Sequence, residues 1–209
     1  MKPVGACFDA NWRATCCVAP ISRGQASGMI RRHYLGKWPG VVVLSLGLWR
    51  RAEPLGVVVY ALPPRETNKR LGCEAWELAR LWIADEVPQN AETWLIAQSI
   101  KYIRRHFPSV GSLISYADPA FGHTGTIYRA SNWRYDGQTD DGRLSPRVDY
   151  VDADTGKKYG RRAHVPANAN VIREPRSRKH RFLYPLGGRG TKTQTAPAAD
   201  LFAALEAAA

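Results

Sequence analysis

Cysteine is scarce: four residues in 209, Cys7, Cys16, Cys17 and Cys73, none of them in a CxxC pair. That spacing excludes zinc-ribbon and thioredoxin-type sites, and thiols of this kind read as reduced, buried and inert. Long apolar runs are missing too. No stretch approaches the ~20 residues that a membrane helix requires, so no membrane partner is expected. Residues 1–9 show no positively charged lead into an apolar segment, so no secretory signal is expected and the chain is assigned to the cytoplasm. Internal repeats are absent. Acids are few beside bases, 18 Asp and Glu against 30 Lys and Arg, for a net charge of +12.

What is present supports one full-sized domain. The chain is 44% hydrophobic, with seven Trp and nine Tyr. Aromatic rings are core material first, but surplus ones often line sites that stack on flat ligands such as bases. The positive charge is concentrated. From Lys157 to Lys192 there are eleven Lys and Arg against one acid, Glu174, while the rest of the chain is nearly balanced. A basic segment beside a near-neutral domain suits a phosphate backbone, because each neutralised phosphate releases a counterion. Lys157, Lys158, Arg161, Arg162, Arg176, Arg178, Lys179 and Arg181 are the candidate phosphate contacts. A solubilising tail, or one that touches acidic lipid, is the alternative reading. The chain divides into a core (1–156), a basic segment packed on or extending from it (157–193), and an Ala-rich tail (194–209).

Residues 1–20 read as irregular. Ser22 is placed to cap a short helix reaching about Arg32 and delivering His33 and Tyr34 at its end. Residues 41–49 (VVVLSLGLW) and 55–61 (LGVVVYA) read as a hairpin buried on both faces, because the apolar runs hardly alternate. A polar loop comes next, then a strand over 77–84. The clearest helix runs over 91–106, with Asn90 as its expected cap and Ile96, Ile100, Ile103 and Phe107 on its inner stripe. Further strands are expected over 111–117, 147–151 and 170–173. The fold class is therefore α/β, a mixed, mostly antiparallel sheet flanked by helices. This order of elements is similar to the core of the GNAT acyltransferases, in which the strand before the main helix splays from its neighbour to open a cleft.

The densest polar cluster is SYADP at 115–119 followed by GHTGTIY at 122–128. It sits at the end of a buried strand and continues through a Gly-rich turn, where α/β sheets tend to present their chemistry. Asp118 suits a base, a metal ligand or an acceptor for an exocyclic amine; a plain Asp-Pro turn is the structural alternative. Ser115, Tyr116, His123 and Thr124 are candidate substrate contacts. His33 is either a capping residue or, if the fold brings it beside Asp118, half of an acid–base couple or metal site. Imidazole, carboxylate and phenolate together suit iron better than zinc. Glu77 and Arg80 stand three apart, which on a regular strand puts them on opposite faces, one toward the cleft. Tyr60 reads as core, with stacking as its functional alternative. One absence bears on the donor: 85–92 reads DEVPQNAE, with no glycine and three carboxylates, where an acyl-CoA enzyme would cradle pyrophosphate. Acetyl-CoA is accordingly disfavoured.

Three stretches together, 77–94, 115–133 (SYADPAFGHTGTIYRASNW) and 179–186 (KHRFLYPL), resemble the Mom family of phage DNA adenine-modification proteins. With Gly56 to Tyr60 and His33-Tyr34, the resemblance covers about residues 20–186. It implies a GNAT-like fold and conversion of adenine in duplex DNA to a carbamoylmethyl adenine, which shields phage DNA from restriction. His33, Tyr34, Arg80, Asp118 and Tyr128 match the family's site. The implied donor is glycine-derived, with glycyl-tRNA preferred, and iron on His33 and Asp118 is one means of activating it. The base must leave the stack to be reached, with Tyr34, Tyr60, Tyr116, Tyr128 or Trp133 available to stack on it. The competing functions are an acetyl-CoA acetyltransferase and a non-catalytic DNA-binding protein. The oligomeric state stays open, with a homodimer as one option.

Overall fold

The computed structural model describes residues 11–145, 147–159 and 164–187. A seven-stranded sheet forms its body: β1 (Cys16–Pro20), β2 (Val42–Arg50), β3 (Glu53–Ala61), β4 (Ala75–Ile83), β5 (Ser112–Ala117), β6 (Arg134–Gln138) and β10 (His180–Pro185). Their spatial order is β1-β2-β3-β4-β5-β10-β6, and only β4 and β5 run parallel. The main helix α3 (Ala91–His106) supplies the crossover that a parallel pair requires. Its residues Leu95, Ile96, Ile100 and Ile103 pack onto Leu46, Leu48, Val58 and Tyr60. Helix α1 (Arg23–Ile30) covers the opposite face, where Ala26 and Ile30 meet Val57 and Val59. Strand β3 thus buries alternate residues against different helices, so its apolar run is unbroken. Truncating Ile96 or Ile103 to alanine would cost ~2–5 kcal/mol, because both are wholly buried.

The hairpin, α1 with its Ser22 cap, and α3 form as expected. Four details differ. Cys16–Pro20 is a strand at the sheet edge, where the prolyl nitrogen needs no partner. Cys16, Cys17 and Cys73 are free thiols, but none is fully buried: the first two lie on the edge strand β1 and Cys73 in the turn before β4. The polar loop contains α2 (Arg65–Leu71), with Glu66 in its first turn, Lys69 and Arg70 in its last, and Gly72 at φ 65 closing it. Asn90 adopts a left-handed conformation (φ 67), and its side chain makes no capping bond.

The basic segment contributes strands to both sheets. Strand β10, which the hydropathy pattern does not suggest, lies between β5 and β6. Strands β7 (Val148–Asp152), β8 (Lys158–Tyr159) and β9 (Val171–Pro175) make a second sheet ordered β8-β7-β9, so strand pairing crosses the boundary expected at residue 156. A short helix α4 (Thr126–Ala130) comes after the Gly-rich turn. The tail (194–209) lies outside the described residues.

Candidate active site

Two irregularities in the sheet create the site. Strands β4 and β5 pair only from Ala75 to Glu77 and then diverge. On its other side β4 carries a bulge, with Leu78 opposite Tyr60 and Arg80 opposite Val59, so Ala79 is the extra residue. That insertion overturns the expectation for Glu77 and Arg80. The added residue shifts the alternation by one, and both side chains line the same cavity. The cavity measures about 530 Å³ and lies between the splayed strands. His33, Tyr34, Tyr116, Asp118, His123, Thr124 and Tyr128 line it as well.

His33 and Tyr34 arrive on the turn after α1. Arg80 holds that turn, its Nε donating to the Lys37 carbonyl at 3.0 Å. His33 Nδ1 accepts the Leu35 amide at 3.1 Å, so the ring's role is to line the cavity rather than cap the helix. Burial, then the nearby Arg80 and His123, lower its pKa to about 4, leaving a neutral imidazole at pH 7. Burial also lowers Arg80 and raises Tyr34 and Glu77; Arg80 and Lys179 offset part of the rise at Glu77.

Asp118 is buried at the end of β5 and caps the turn Pro119–Phe121, Oδ1 accepting the Ala120 amide at 3.1 Å. Its Oδ2 lies 3.3 Å from Lys179 Nζ. Burial works to raise its pKa, but hydrogen bonds from Ser177 and Ala120 and the Lys179 charge outweigh it and hold the carboxyl below its ordinary range. Lys179 is the functional residue that sequence reasoning misplaces. Charge alone assigns it to phosphate, yet its backbone is clamped to Thr139 in both directions (2.8 and 2.9 Å) and its ammonium enters the cavity. Its place in the same KHRFLYPL stretch that carries the family resemblance is the available signal.

Tyr128 is buried, and burial pushes its hydroxyl up to about 12, so it is a phenol at neutral pH. Ser115 Oγ stands behind it, 2.7 Å from the Tyr128 hydroxyl and 2.8 Å from the Leu78 carbonyl. A carbonyl only accepts, so both contacts hold together when Ser115 donates to Leu78 and Tyr128 to Ser115. Ser115 thus stands behind the Tyr128 wall and not among the residues that line the cavity. Burial raises Tyr116 as well.

Other expected residues lie elsewhere. Tyr60 is 0% exposed and bonds Ser99 on α3 at 2.7 Å, so the core reading holds. Trp133 packs against Tyr128 inside the core. Arg181 bonds Asp136, which also holds Arg70 of α2. Arg176 and Lys158 both pair with Asp149, and Lys157 covers the Tyr159 ring. Arg178 is exposed, and Arg161 and Arg162 lie outside the described residues. The donors present fit iron poorly. His33 Nδ1 and both Asp118 oxygens already have partners, and among the described residues no three His, Cys, Asp or Glu side chains converge.

Residues 15–200 match the Mom protein family. This chain belongs to that family. It is 34% identical over 113 residues to the methylcarbamoylase Mom of Escherichia phage Mu, a match covering 51% of this chain and 46% of that protein. The match therefore spans less than half of that relative's length. Among solved structures, Arabidopsis thaliana NAA60 in complex with acetyl-CoA superposes with a TM-score of 0.56 at 13% identity, covering 83% of this chain and all of that one. The ribosomal-protein-S18-alanine N-acetyltransferase from Escherichia coli gives 0.51 at 9%, covering 87% and 99%. These likenesses establish a GNAT-like fold for this Mom family member. The junction before α3 nevertheless departs from a phosphate cradle, since Asp85 and Glu92 face the cavity there. No helix among the described residues is long and apolar enough to cross a membrane.

Proposed function

We propose that this chain modifies adenine in duplex DNA, attaching a glycine-derived carbamoylmethyl group to the exocyclic amine and so protecting phage DNA from restriction in the host cytoplasm. The observation that carries this reading is convergence. His33, Tyr34, Arg80, Asp118 and Tyr128, the residues that the resemblance assigns to the family's site, all line one cavity in a Mom family member.

The geometry suggests a role for each group. An extruded base enters between the splayed strands, at an unstacking cost of about a few kcal/mol. Asp118, kept ionised by Lys179, accepts a hydrogen bond from the amine and makes its nitrogen a better nucleophile. The amine nitrogen bonds to the glycyl carbonyl carbon as the ester bond to tRNA breaks, and the amine's proton passes by way of Asp118 to the departing tRNA hydroxyl. The glycyl adenine then rearranges to its carbamoylmethyl isomer. Neutral His33, its Nδ1 engaged by the Leu35 amide, offers Nε2–H as a donor. Arg80 stays cationic beside Glu77, so it suits developing negative charge on the donor, while Tyr128, its one proton given to Ser115, holds the wall and presents an acceptor oxygen. Asp85 and Glu92 at the α3 end of the cavity repel a pyrophosphate, which favours glycyl-tRNA over acetyl-CoA as donor. Exposed cations of the basic segment then serve two polyanions, DNA and tRNA.

The test is mass spectrometry of nucleosides from plasmid DNA of cells expressing the chain, beside Asp118→Ala. A deoxyadenosine heavier by one glycinamide unit, absent in the variant, is the expected result. Unmodified adenine from a soluble, DNA-bound protein would sink the enzymatic reading.

A further inference from the structure

Phe121 ends the turn that Asp118 caps, and it is 54% exposed at the lip of the cavity. Its ring packs on half-exposed Tyr34, with centroids 5.0 Å apart. Tyr34 in turn meets His123 at 4.7 Å and His33 at 4.3 Å. Four rings thus form a ridge running from the cavity wall into solvent. The turn is held from both sides, by the Ala120 amide on Asp118 Oδ1 and by Gly122 at φ 73, so the exposed ring has a set position. Two exposed aromatic rings in contact with each other beside a cavity form a contiguous patch, which marks a contact surface where one scattered apolar side chain would not.

We propose that Phe121 is a wedge that enters the base stack of duplex DNA and fills the gap left by the extruded adenine. The inference rests on the adenine-modification reading above. A base reaches Asp118 only by leaving the helix, and its departure exposes the flat faces of two neighbouring pairs. Aromatic side chains cover such faces well, and Phe is among the residues that proteins insert between base steps. Position supports the role. Phe121 is three residues from Asp118, so the ring and the amine-binding carboxylate are held by one short turn. Cations flank the ridge for the phosphates of the opened strand: Arg32 lines the cavity on the Tyr34 side, and exposed Arg129 anchors to the Thr124 carbonyl on the other.

The experiment uses the full chain and duplexes carrying 2-aminopurine in place of adenine, in several flanking contexts, because this base brightens when it leaves the stack. It needs no donor. Wild-type protein brightens the paired duplex. Phe121→Ala reduces the rise about tenfold there, yet comes within about twofold of wild type when an abasic site lies opposite, since a pre-opened pair needs no wedge. Phe121→Trp keeps the rise. Equal loss on both duplexes, or no loss on either, overturns the wedge. If wild-type protein binds neither duplex, the adenine reading falls and the wedge falls with it; if the variant brightens as wild type does, the wedge alone falls.

Discussion

Asp118 divides its two oxygens between structure and chemistry: Oδ1 closes the turn by taking the Ala120 amide, and Oδ2 faces Lys179. Because the folded carboxyl sits below its ordinary range, its ionised form contributes stability that is present above that range and lost as pH falls through the lowered value. Removing the ammonium should move that loss upward. In a carboxyl NMR titration, Lys179→Met should raise the Asp118 midpoint, while Lys179→Arg keeps it low; an unmoved midpoint in the Met variant would assign the shift to Ser177 and Ala120 alone. His33 behaves oppositely. Its pKa of about 4 means the unfolded chain gains a proton near pH 6.5 while the folded chain does not, so stability drains as pH falls from 6.5 to about 4. His33→Gln should lessen that drain by about 1 kcal/mol once the ring's partial exposure is discounted, measured as denaturant unfolding at pH 7 and pH 5. Residue identity at the site is legible because Asp118 and its neighbours stand in one contiguous run. The Lys179 contact is not, since it depends on which strand lies beside β5.

Elements turn these residues into a site through three backbone exceptions: the parallel pair that splays, the bulge at Ala79, and the tight turn before α4. Gly125 and Gly122 both have positive φ, 83 and 73, but their surroundings differ. A Cβ at Gly125 would sit 2.2 Å from the Phe182 ring, whereas none of the atoms around Gly122 comes within 4 Å. Gly122→Ala should therefore lose only the left-handed penalty, ~1–2 kcal/mol. Gly125→Ala adds overpacking to that penalty, another ~1–3 kcal/mol, and should displace Tyr128 from the wall. Chemical denaturation of the two variants would show the difference, and equal losses would contradict it. Apolar periodicity makes the hairpin and α3 legible, because each buries a continuous face. It cannot show the bulge, since an inserted residue leaves composition unchanged and reverses only the facing of the residues beyond it. Nor does it find α2 or β10. The first is a polar surface helix held by its charges and Gly72, and the second is a short run, Phe182, Leu183 and Tyr184 after His180 and Arg181, inside a segment dominated by its charge.

The whole molecule carries +12, but that charge is not all available to a partner. Lys179 is committed to Asp118, Arg181 to Asp136, and Arg176 and Lys158 share Asp149. A cation already paired with a carboxylate of this chain has less charge to offer a phosphate, so the salt dependence of binding should be shallower than eleven basic residues would give. The pairing also assigns different roles to neighbours in sequence. Arg178 is exposed, and Arg178→Ala should flatten the slope of log K against log salt by ~0.9, the share of one phosphate. Arg181→Ala should leave the slope nearly unchanged and instead lower Tm by a few degrees, because it strips Asp136 of one of its two arginines and loosens β10 against β6. Anisotropy titrations on a fixed duplex between ~50 and 200 mM salt, with thermal unfolding of the same preparations, separate the two outcomes. A slope that changes equally in both variants would mean that the Asp136 pair opens on DNA and that β10 itself lies along the phosphate backbone.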